Sequence, residues 1–305
     1  LREHYGVGRV AIVDTDCHHG DGTQDVYWHD PETLYISLHQ DGRTLFPGSG
    51  FVNELGGPKA LGKNINIPLP PRTSDEGFLH AMDEVVMPVL EDFQPEIVIN
   101  SAGQDNHFSD PLTDMNFSAQ GYAALNQRLN PDIAVLEGGY SIHGALPYVN
   151  TGIILAMAGL DYSYVREPDY DPERLREDNR TREHIEQVCS KARQNYFHPP
   201  TSGVSRNMED GYYVRSKEIF YDTDFITERQ KEHLLDCDNC SGLLLIESSS
   251  SRRKNCLGIE IPRQACDKCR EEGLRQFEKS QASEKLTNIQ FINRPEGIVT
   301  RYTPS

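Results

Sequence analysis

The stretch that decides the fold is Val13-Asp14-Thr15-Asp16-Cys17-His18-His19-Gly20-Asp21-Gly22-Thr23, which follows the β-branched run 9–13. Side chains alternate between the two faces of an extended chain, so Asp14, Asp16 and His18 point the same way. Polar residues that follow a buried strand occupy the usual ligand position of an open α/β sheet. The stretch therefore predicts a parallel sheet with a polar site at the ends of its strands.

A second polar segment follows a strand in the same way. Residues 101–112 (SAGQDNHFSDPL) come directly after the β-branched run 96–100 and contain Asp110. A structural zinc site closes with four protein ligands, whereas a catalytic site keeps one position open for water or substrate. Two carboxylates and one imidazole, from Asp16, His18 and Asp110, therefore favour a catalytic metal site. The alternative is a polar loop whose carboxylates are solvated.

The polar residues around these three have simpler interpretations. Asp14 lies behind the ligands of its own strand and is expected to orient them. Asp105 is expected to order its loop rather than to bind metal. His19 and His107 are expected to be hydrogen-bonded loop residues rather than ligands.

The first half of the chain alternates between predicted strands and predicted helices. Apolar spacing predicts a helix over residues 76–93, kinked or shortened at Pro88, and Ser118 is a good N-cap for a second helix. Residues 144–160 are apolar enough for a packed helix. Strands are predicted at 9–14, 34–38, 64–68, 96–101 and 132–137. This alternation predicts an α/β fold with a parallel sheet and helices on both faces.

The run 14–23 resembles the metal-binding strand and loop of the histone deacetylase family. Four further segments agree with the family in the same order, namely 35–39 (YISLH), 45–50 (LFPGSG), 101–112 and 136–140 (LEGGY). The five motifs cover roughly the first half of the chain. The resemblance implies an arginase-like α/β fold. It also implies that one divalent metal, usually zinc, serves to hydrolyse acetyl-lysine or a similar acylated amine.

The same resemblance implies roles for individual residues. Asp16, His18 and Asp110 match the metal ligands of the family. Tyr140 matches the phenol that donates a hydrogen bond to the oxyanion formed when water attacks the amide carbonyl. An ordinary turn tyrosine is the alternative interpretation of Tyr140.

Two further sites follow from the resemblance. Phe46, Gly138 and Gly139 match the narrow channel that holds the substrate, although Phe46 is also typical of a hydrophobic loop anchor. Ser37 and Leu38, with oxygens of the first motif, match a structural monovalent-cation site of the kind that binds K⁺.

The family also places two adjacent histidines before the metal strand as general base and general acid. This chain offers only the pair His18-His19 and begins at Leu1, close to its first strand. We therefore expect a fragment in which Asp14 and Asp21, which would orient those histidines, are buried without partners and raised in pKa. Because positioned general acid–base groups contribute about 10²–10⁴-fold in rate, we expect this chain alone to be a poor or inactive enzyme.

Charge and hydropathy bound the remaining possibilities. The 305 residues carry 30 basic and 47 acidic side chains, for a net charge of −17, which argues against nucleic-acid binding. No apolar run approaches the roughly 20 residues that cross a bilayer, and no secretory signal is visible, so a cytoplasmic protein is expected. Composition divides the chain into a deacetylase-like part (1–165), a charged helical linker (166–206) and a small domain with its tail (207–305).

The last region contains two C-x₂-C pairs, Cys237 with Cys240 and Cys266 with Cys269. Two such pairs bring four thiolates to one tetrahedral ion, so they predict a zinc-ribbon-like module with a structural zinc. Disulfides are less favoured in a chain with no secretory signal, and a redox site does not require two pairs. Strand candidates in this region are 211–214, 219–221, 243–246, 257–261 and 288–292.

Two other functions stay open on the sequence alone. A binuclear manganese ureohydrolase related by fold would need extra aspartate and histidine ligands around Asp14, Asp16 and Asp110. The motif Gly138-Gly139-Tyr140 argues against it. A noncatalytic protein would instead use the cysteine module as a docking surface.

Overall fold

A computed structural model of the chain describes residues 2–200, 207–221 and 223–304. The chain divides into two compact units, residues 1–200 and 201–305. Across the described residues, no helix combines the length and the apolar character that a membrane span requires.

The first unit is built on a five-stranded parallel sheet. Its strands are β1 (Val10–Asp14), β2 (Thr33–Gln40), β3 (Asn64–Leu69), β4 (Ile97–Ala102) and β5 (Ile133–Leu136). All five predicted strands are confirmed, and they lie in the order β3-β2-β1-β4-β5. Because the order reverses between β1 and β4, the crevice outside their carboxyl ends is the position where such sheets bind ligands.

Helices of the first unit pack against this sheet and against each other. They are α1 (Arg2–Tyr5), α2 (Asp21–Tyr27), α3 (Asp75–Ala81), α4 (Met87–Phe93), α5 (Ala119–Leu129), α6 (Leu146–Met157), α7 (Pro172–Leu175) and α8 (Asn179–Phe197). One large apolar core joins the strands to the helices, and its fully buried members include Val13, Ile36, Ile67, Phe78, Val85 and Leu125. The arginase-like architecture predicted from the motifs is confirmed.

The helix predicted over 76–93 forms with an irregular middle. A π-helical turn, Met82–Val86, separates α3 from α4. Pro88 has no N–H to donate to the carbonyl of Glu84, so regular α-helical bonding fails there. Ser118 caps α5 as predicted, and its Oγ accepts a hydrogen bond from the backbone N of Gly121 at 3.0 Å.

The segment predicted as a linker belongs to the first unit. Within 166–206, helix α8 buries Ile185, Cys189, Ala192 and Tyr196 in the large core. These four residues recur at helical spacing on one face, whereas the charged residues that suggested a solvated segment lie on the exposed face. The first unit therefore extends to residue 200 rather than 165.

In its described residues, 207–221 and 223–304, the second unit is a seven-stranded sheet with one helix. Its elements are β6 (Met208–Glu209), β7 (Tyr212–Tyr221), β8 (Ile226–Leu235), β9 (Leu244–Ser250), β10 (Cys256–Ile261), α9 (Asp267–Gln281), β11 (Asn288–Asn293) and β12 (Ile298–Tyr302). The strands lie in the order β12-β11-β10-β9-β8-β7-β6. Only β10 and β11 pair in parallel, because α9 connects them; the other pairs are antiparallel.

This sheet is larger than the ribbon expected from the sequence. The candidates 211–214 and 219–221 form one long strand, β7, and the strands β6, β8 and β12 were not predicted. The cysteine-bearing turns after β8 and before α9 are consistent with a zinc-ribbon-like module built into the larger sheet.

Candidate functional site

Three predicted motifs meet at the crevice between β1 and β4. Asp14 at the end of β1 pairs in register with Ser101 of β4, so the loops that follow both strands leave the sheet side by side. The loop after β5, residues 137–140, joins them because β5 pairs with β4. Motifs far apart in sequence therefore converge for a topological reason.

Asp16, His18 and Asp105 form the metal-binding candidate in this crevice, with one ligand atom from each within 4.8 Å of the others. His18 Nδ1 lies 3.3 Å from Asp16 Oδ1 and 2.8 Å from Asp105 Oδ2. Hydrogen bonds to Asp105 and then Asp16, which outweigh burial, raise the pKa of His18 to about 10. An imidazole nitrogen and two carboxylates suit zinc, so the residues present fit the metal that the motif implies.

Asp110 lies beside this group rather than within it. Its Oδ2 accepts a hydrogen bond from the backbone N of Tyr140 at 2.8 Å. Asp105 faces His18 instead, because the backbone N of Cys17 donates to Asp105 Oδ1 at 2.9 Å and leaves the other oxygen free for the imidazole. The structure thus brings together two of the three predicted ligands and a carboxylate that was expected only to order its loop.

Gly138 fits closely against the two carboxylates. Its backbone N donates to Asp16 Oδ2 at 2.7 Å. A Cβ added to Gly138 would lie 2.5 Å from Asp105 Oδ2 and 2.7 Å from Asp16 Oδ2, distances that no side chain tolerates. Glycine is therefore required here for close approach.

The ring of Tyr140 is near the metal candidate and open to solvent. It stands edge-on to the His18 ring with the centroids 6.2 Å apart, and the residue is 45% exposed. Burial, followed by the negative charge of the nearby carboxylates, raises the pKa of Tyr140. The phenol consequently stays protonated at neutral pH and is available as a donor.

Asp14 lies behind the metal candidate and is buried. Burial raises the pKa of Asp14 to about 7, against the lowering effect of its hydrogen bonds. It is not without partners, because the Tyr35 hydroxyl donates to its Oδ2 at 2.8 Å and the backbone N of Asp16 donates to its Oδ1. Asp21, expected to be buried like Asp14, is exposed in the first turn of α2.

Tyr35 was missed by the sequence analysis, although a signal for it was present. Alternation along β2 places Tyr35 on the same face as Ser37, and Ser37 pairs in register with Asp14. Ser37 is fully buried, and its Oγ lies 2.8 Å from Nδ1 of His39. Leu38, the other residue of the predicted cation site, is fully buried in the same strand.

The predicted channel residues have different surroundings. Phe46 is 63% exposed in the loop after β2, so its ring is open to a ligand. A Cβ added to Gly139 would lie 2.8 Å from Leu146 Cδ2 and 3.1 Å from Gln104 Cβ. The missing side chain of Gly139 therefore makes room for protein atoms.

Both histidines that were expected to be hydrogen-bonded loop residues have hydrogen-bond partners. His19 bonds Ser49 Oγ through Nδ1 at 2.8 Å and Gln24 Oε1 through Nε2 at 3.2 Å. His107 is also buried, and its Nε2 lies 3.2 Å from Oε1 of Glu167. No motif in the sequence marked Glu167, which is 60 residues away.

Four thiols meet in the second unit. Cys237 and Cys240 follow β8, and Cys266 and Cys269 begin α9, with the sulfur atoms within 4.8 Å of one another. Although burial opposes it, hydrogen bonds from the backbone N of Asn239 and from the neighbouring thiols lower the pKa of Cys237 to about 7. The structure therefore brings together the four predicted cysteines, with one thiol favoured as thiolate.

Comparisons with known proteins agree with this geometry. The sequence profile of the histone deacetylase domain matches residues 1–156. The chain belongs to the histone deacetylase family. The match ends within α6, so α7, α8 and the whole second unit lie outside it.

Relatives and solved structures of histone deacetylase type cover part of the chain. A probable deacetylase of Archaeoglobus fulgidus is 49% identical over 180 residues, which are 56% of this chain and 50% of that protein. The acetoin utilization protein AcuC of Bacillus subtilis is 35% identical over 171 residues, which are 53% of this chain and 44% of that protein. The crystal structure of the HDA15 HD domain superposes with a TM-score of 0.54 at 29% identity. The superposition covers 64% of this chain and 52% of that domain's chain. The chain spans about half the length of the curated relatives it matches.

Proposed function

We propose that the first unit is the metal-binding part of a zinc-dependent amidohydrolase of the deacetylase type. Its reaction is removal of an acetyl or similar acyl group from a lysine side chain or a related amine. The single observation that carries this proposal is the convergence of Asp16, His18 and Asp105 beside Tyr140, at the switch point of the sheet. Family membership supports the same reaction class.

The residues of the crevice have distinct tasks in this proposal. A bound zinc supplies Lewis-acid polarisation of the amide carbonyl and lowers the pKa of a water molecule. Tyr140 donates its phenolic hydrogen to the carbonyl oxygen as negative charge develops there, and a donor of this kind contributes about 10²–10³-fold in rate. Gly138 fixes the carboxylate of Asp16 through its backbone N–H. The exposed ring of Phe46 is proposed to hold the aliphatic stem of the substrate.

Among its described residues, the chain taken alone lacks a suitable general base for the reaction. The resemblance implies two adjacent histidines for proton transfer, and the sequence contains one adjacent pair, His18-His19. His18 is bound to carboxylates, and His19 is held between Ser49 and Gln24 with its pKa lowered by burial. We therefore expect slow hydrolysis of acetyl-lysine peptides by this chain without another source of a base.

The third metal ligand is a carboxylate of the loop after β4. Contacts favour Asp105, and the resemblance implies Asp110. Zinc content and chelator competition decide between them in the variants Asp105→Asn and Asp110→Asn. The variant that lacks the true ligand is expected to bind zinc at least about 10–100-fold more weakly. Replacing a residue that only supports a ligand already costs that much affinity. First-unit zinc that persists in the variant His18→Ala would contradict the metal site itself.

The choice of metal also separates the rival functions. Hydrolysis of an acetyl-lysine peptide or an acetylated diamine with zinc supports the deacetylase. Release of urea from arginine with manganese would support the ureohydrolase instead. Zinc lost only when cysteines are replaced would support a noncatalytic, metal-stabilised module. We expect the first outcome.

We propose two further ions for the intact protein. Ser37 and Leu38, with oxygens of the first motif, are proposed to bind a structural K⁺, because Ser37 lies in register beside Asp14. The four clustered cysteines are proposed to bind one structural zinc, which a set of four thiolates closes completely. The cytoplasmic location stays a prediction.

A further inference from the structure

A chain of hydrogen bonds links Ser141, the residue after the proposed catalytic tyrosine, to a buried carboxylate outside the matched domain. Ser141 Oγ lies 2.8 Å from Ser109 Oγ, and Ser109 Oγ lies 2.9 Å from His107 Nδ1. His107 Nε2 lies 3.2 Å from Oε1 of Glu167. Glu167 follows the last residue matched by the family profile, so the matched domain does not supply it.

The backbone around His107 determines which ring nitrogen carries the proton. The backbone N of Ser109 donates to His107 Nδ1 at 3.2 Å, so Nδ1 is an acceptor and the ring proton is on Nε2. Nε2 therefore donates to Glu167. Ser109 Oγ lies within hydrogen-bond distance of both Nδ1 and Ser141 Oγ, so this hydroxyl joins the imidazole to the loop of Tyr140.

The buried end of this series of hydrogen bonds, formed by His107 and Glu167, is held by further contacts. His107 is 1% exposed and its ring stacks on Phe108. Glu167 Oε1 also accepts from the backbone N of Ala119, at the start of α5. Burial raises the pKa of Glu167, but the bonds from His107 and the backbone outweigh it and lower the pKa, so the carboxylate stays ionised.

At the exposed end of this series of hydrogen bonds, two adjacent residues bond to the loop of Tyr140. Asp110 Oδ2 accepts from the backbone N of Tyr140, and the hydroxyls of Ser109 and Ser141 share a hydrogen bond. A Cβ on Gly144 would lie 2.8 Å from Ser141 Oγ and 2.9 Å from Ser109 Oγ, so the two hydroxyls meet in a space that only glycine leaves open.

We infer that Glu167, His107 and Ser109 are positioning residues that hold the loop of Tyr140 in place for the reaction. This inference rests on the proposed function for its catalytic consequence. Its structural part, the restraint of residues 138–145, does not depend on hydrolysis.

Hydrogen-exchange mass spectrometry of the full chain tests the structural part. In Ser109→Ala, we expect amides in 138–145 to exchange about tenfold faster, as for loss of one hydrogen bond, while Ser109→Thr restores the wild-type rate. Glu167→Ala should accelerate the same segment together with the start of α5. Glu167→Gln should restore both, because its Oε1 still accepts. Ser190→Ala, an exposed serine on α8, is the control.

Kinetics test the catalytic part. Where the wild-type chain hydrolyses an acetyl-lysine peptide, Ser109→Ala should lower kcat and leave KM and zinc content unchanged, and Ser109→Thr should recover kcat. If the wild-type chain hydrolyses nothing, as the lack of a general base allows, the exchange data alone decide the positioning inference. The proposed function fails separately, if first-unit zinc persists in His18→Ala. Unchanged exchange of 138–145 in both alanine variants, or equal acceleration throughout the first unit, overturns it.

Discussion

At the scale of single residues, the metal candidate depends on a missing side chain as much as on its ligands. Gly138 touches the carboxylates of Asp16 and Asp105 so closely that a methyl group has no room. We expect Gly138→Ala to push these carboxylates apart and weaken zinc binding by at least about tenfold, the range known for residues that support ligands. Chelator competition at fixed pH measures the change.

Gly22→Ala is the matched control for this substitution. Gly22 lies in α2, and a Cβ there would meet no atom within 4 Å. We expect zinc affinity to be unchanged, with a gain in stability of about 0.5–1 kcal/mol because alanine favours a helix. Equal zinc affinity in the two variants would show that the carboxylates move freely and that Gly138 is dispensable.

Asp75 gives the first unit a predictable dependence on pH. Its carboxylate accepts from the backbone N and the hydroxyl of Ser118, yet burial raises its pKa to about 6. A carboxyl whose pKa is raised on folding stabilises the fold at low pH and loses this contribution as pH rises. The free energy of unfolding should therefore fall between about pH 4 and pH 6, by up to about 1.4 kcal/mol per unit.

The variant Asp75→Asn should reduce this slope by the contribution of Asp75 while keeping the shape of the side chain, and the slope due to Asp14, whose pKa is raised to about 7, should remain. The fluorescence of Trp28, the single tryptophan of the chain, reports denaturant unfolding of the first unit alone. Asp83→Asn, which removes an exposed ion pair with Arg128, should change stability by less than about 1 kcal/mol. A wild-type slope that persists unchanged in Asp75→Asn assigns the effect to another group.

At the scale of elements, β5 is an edge strand with exposed apolar side chains. Ile133, Val135 and Leu136 are 38%, 45% and 62% exposed, although strands of parallel sheets are normally covered on both faces. Open edges of this kind promote self-association. We expect Val135→Lys to reduce association of the purified chain, measured by light scattering against concentration.

Ile154→Lys distinguishes the edge from general hydrophobicity. Ile154 is 65% exposed on α6, so its replacement removes a similar apolar surface away from the strand. We expect little change in association for this variant. An equal reduction in both variants would mean that the strand edge has no special role.

The elements also explain how far the sequence could be read. The strands β1 and β4 were predictable because each is a β-branched run followed by polar residues, and β2, β3 and β5 because each is a short, largely apolar run between helical or loop segments. Helix α8 was predicted as helical but was assigned to a linker, because its charges were weighed ahead of the apolar spacing of Ile185, Cys189 and Ala192. The choice between Asp105 and Asp110 depends on which oxygen the backbone N of Cys17 occupies, and Glu167 reaches His107 only through the tertiary fold. Contacts of this kind leave no periodic signal.

At the scale of the whole molecule, the two units have separate cores and separate proposed metal sites. Two thiols of the cysteine site belong to the core of the second unit, because Cys237 is 4% exposed and Cys269 is 0% exposed. Removing zinc would leave these thiols to repel one another as thiolates or to stay buried as unliganded thiols. The zinc should therefore stabilise the second unit in particular, because binding a metal at folded ligands adds to folding free energy.

Cysteine substitution tests this division in the full chain. Cys269→Ser should cost one zinc per chain and expose β10 and β11 to hydrogen exchange, while unfolding of the first unit, followed by Trp28, stays the same. A loss of only ~3 kcal/mol would lower the Tm of a unit of this size by roughly 12–24 °C. Cys256→Ser is the control, because Cys256 lies outside the group of four. Zinc retained in Cys269→Ser, or lost in Cys256→Ser, would mean that the four clustered thiols are not the ligands, and the second unit would then owe its stability to its apolar core alone.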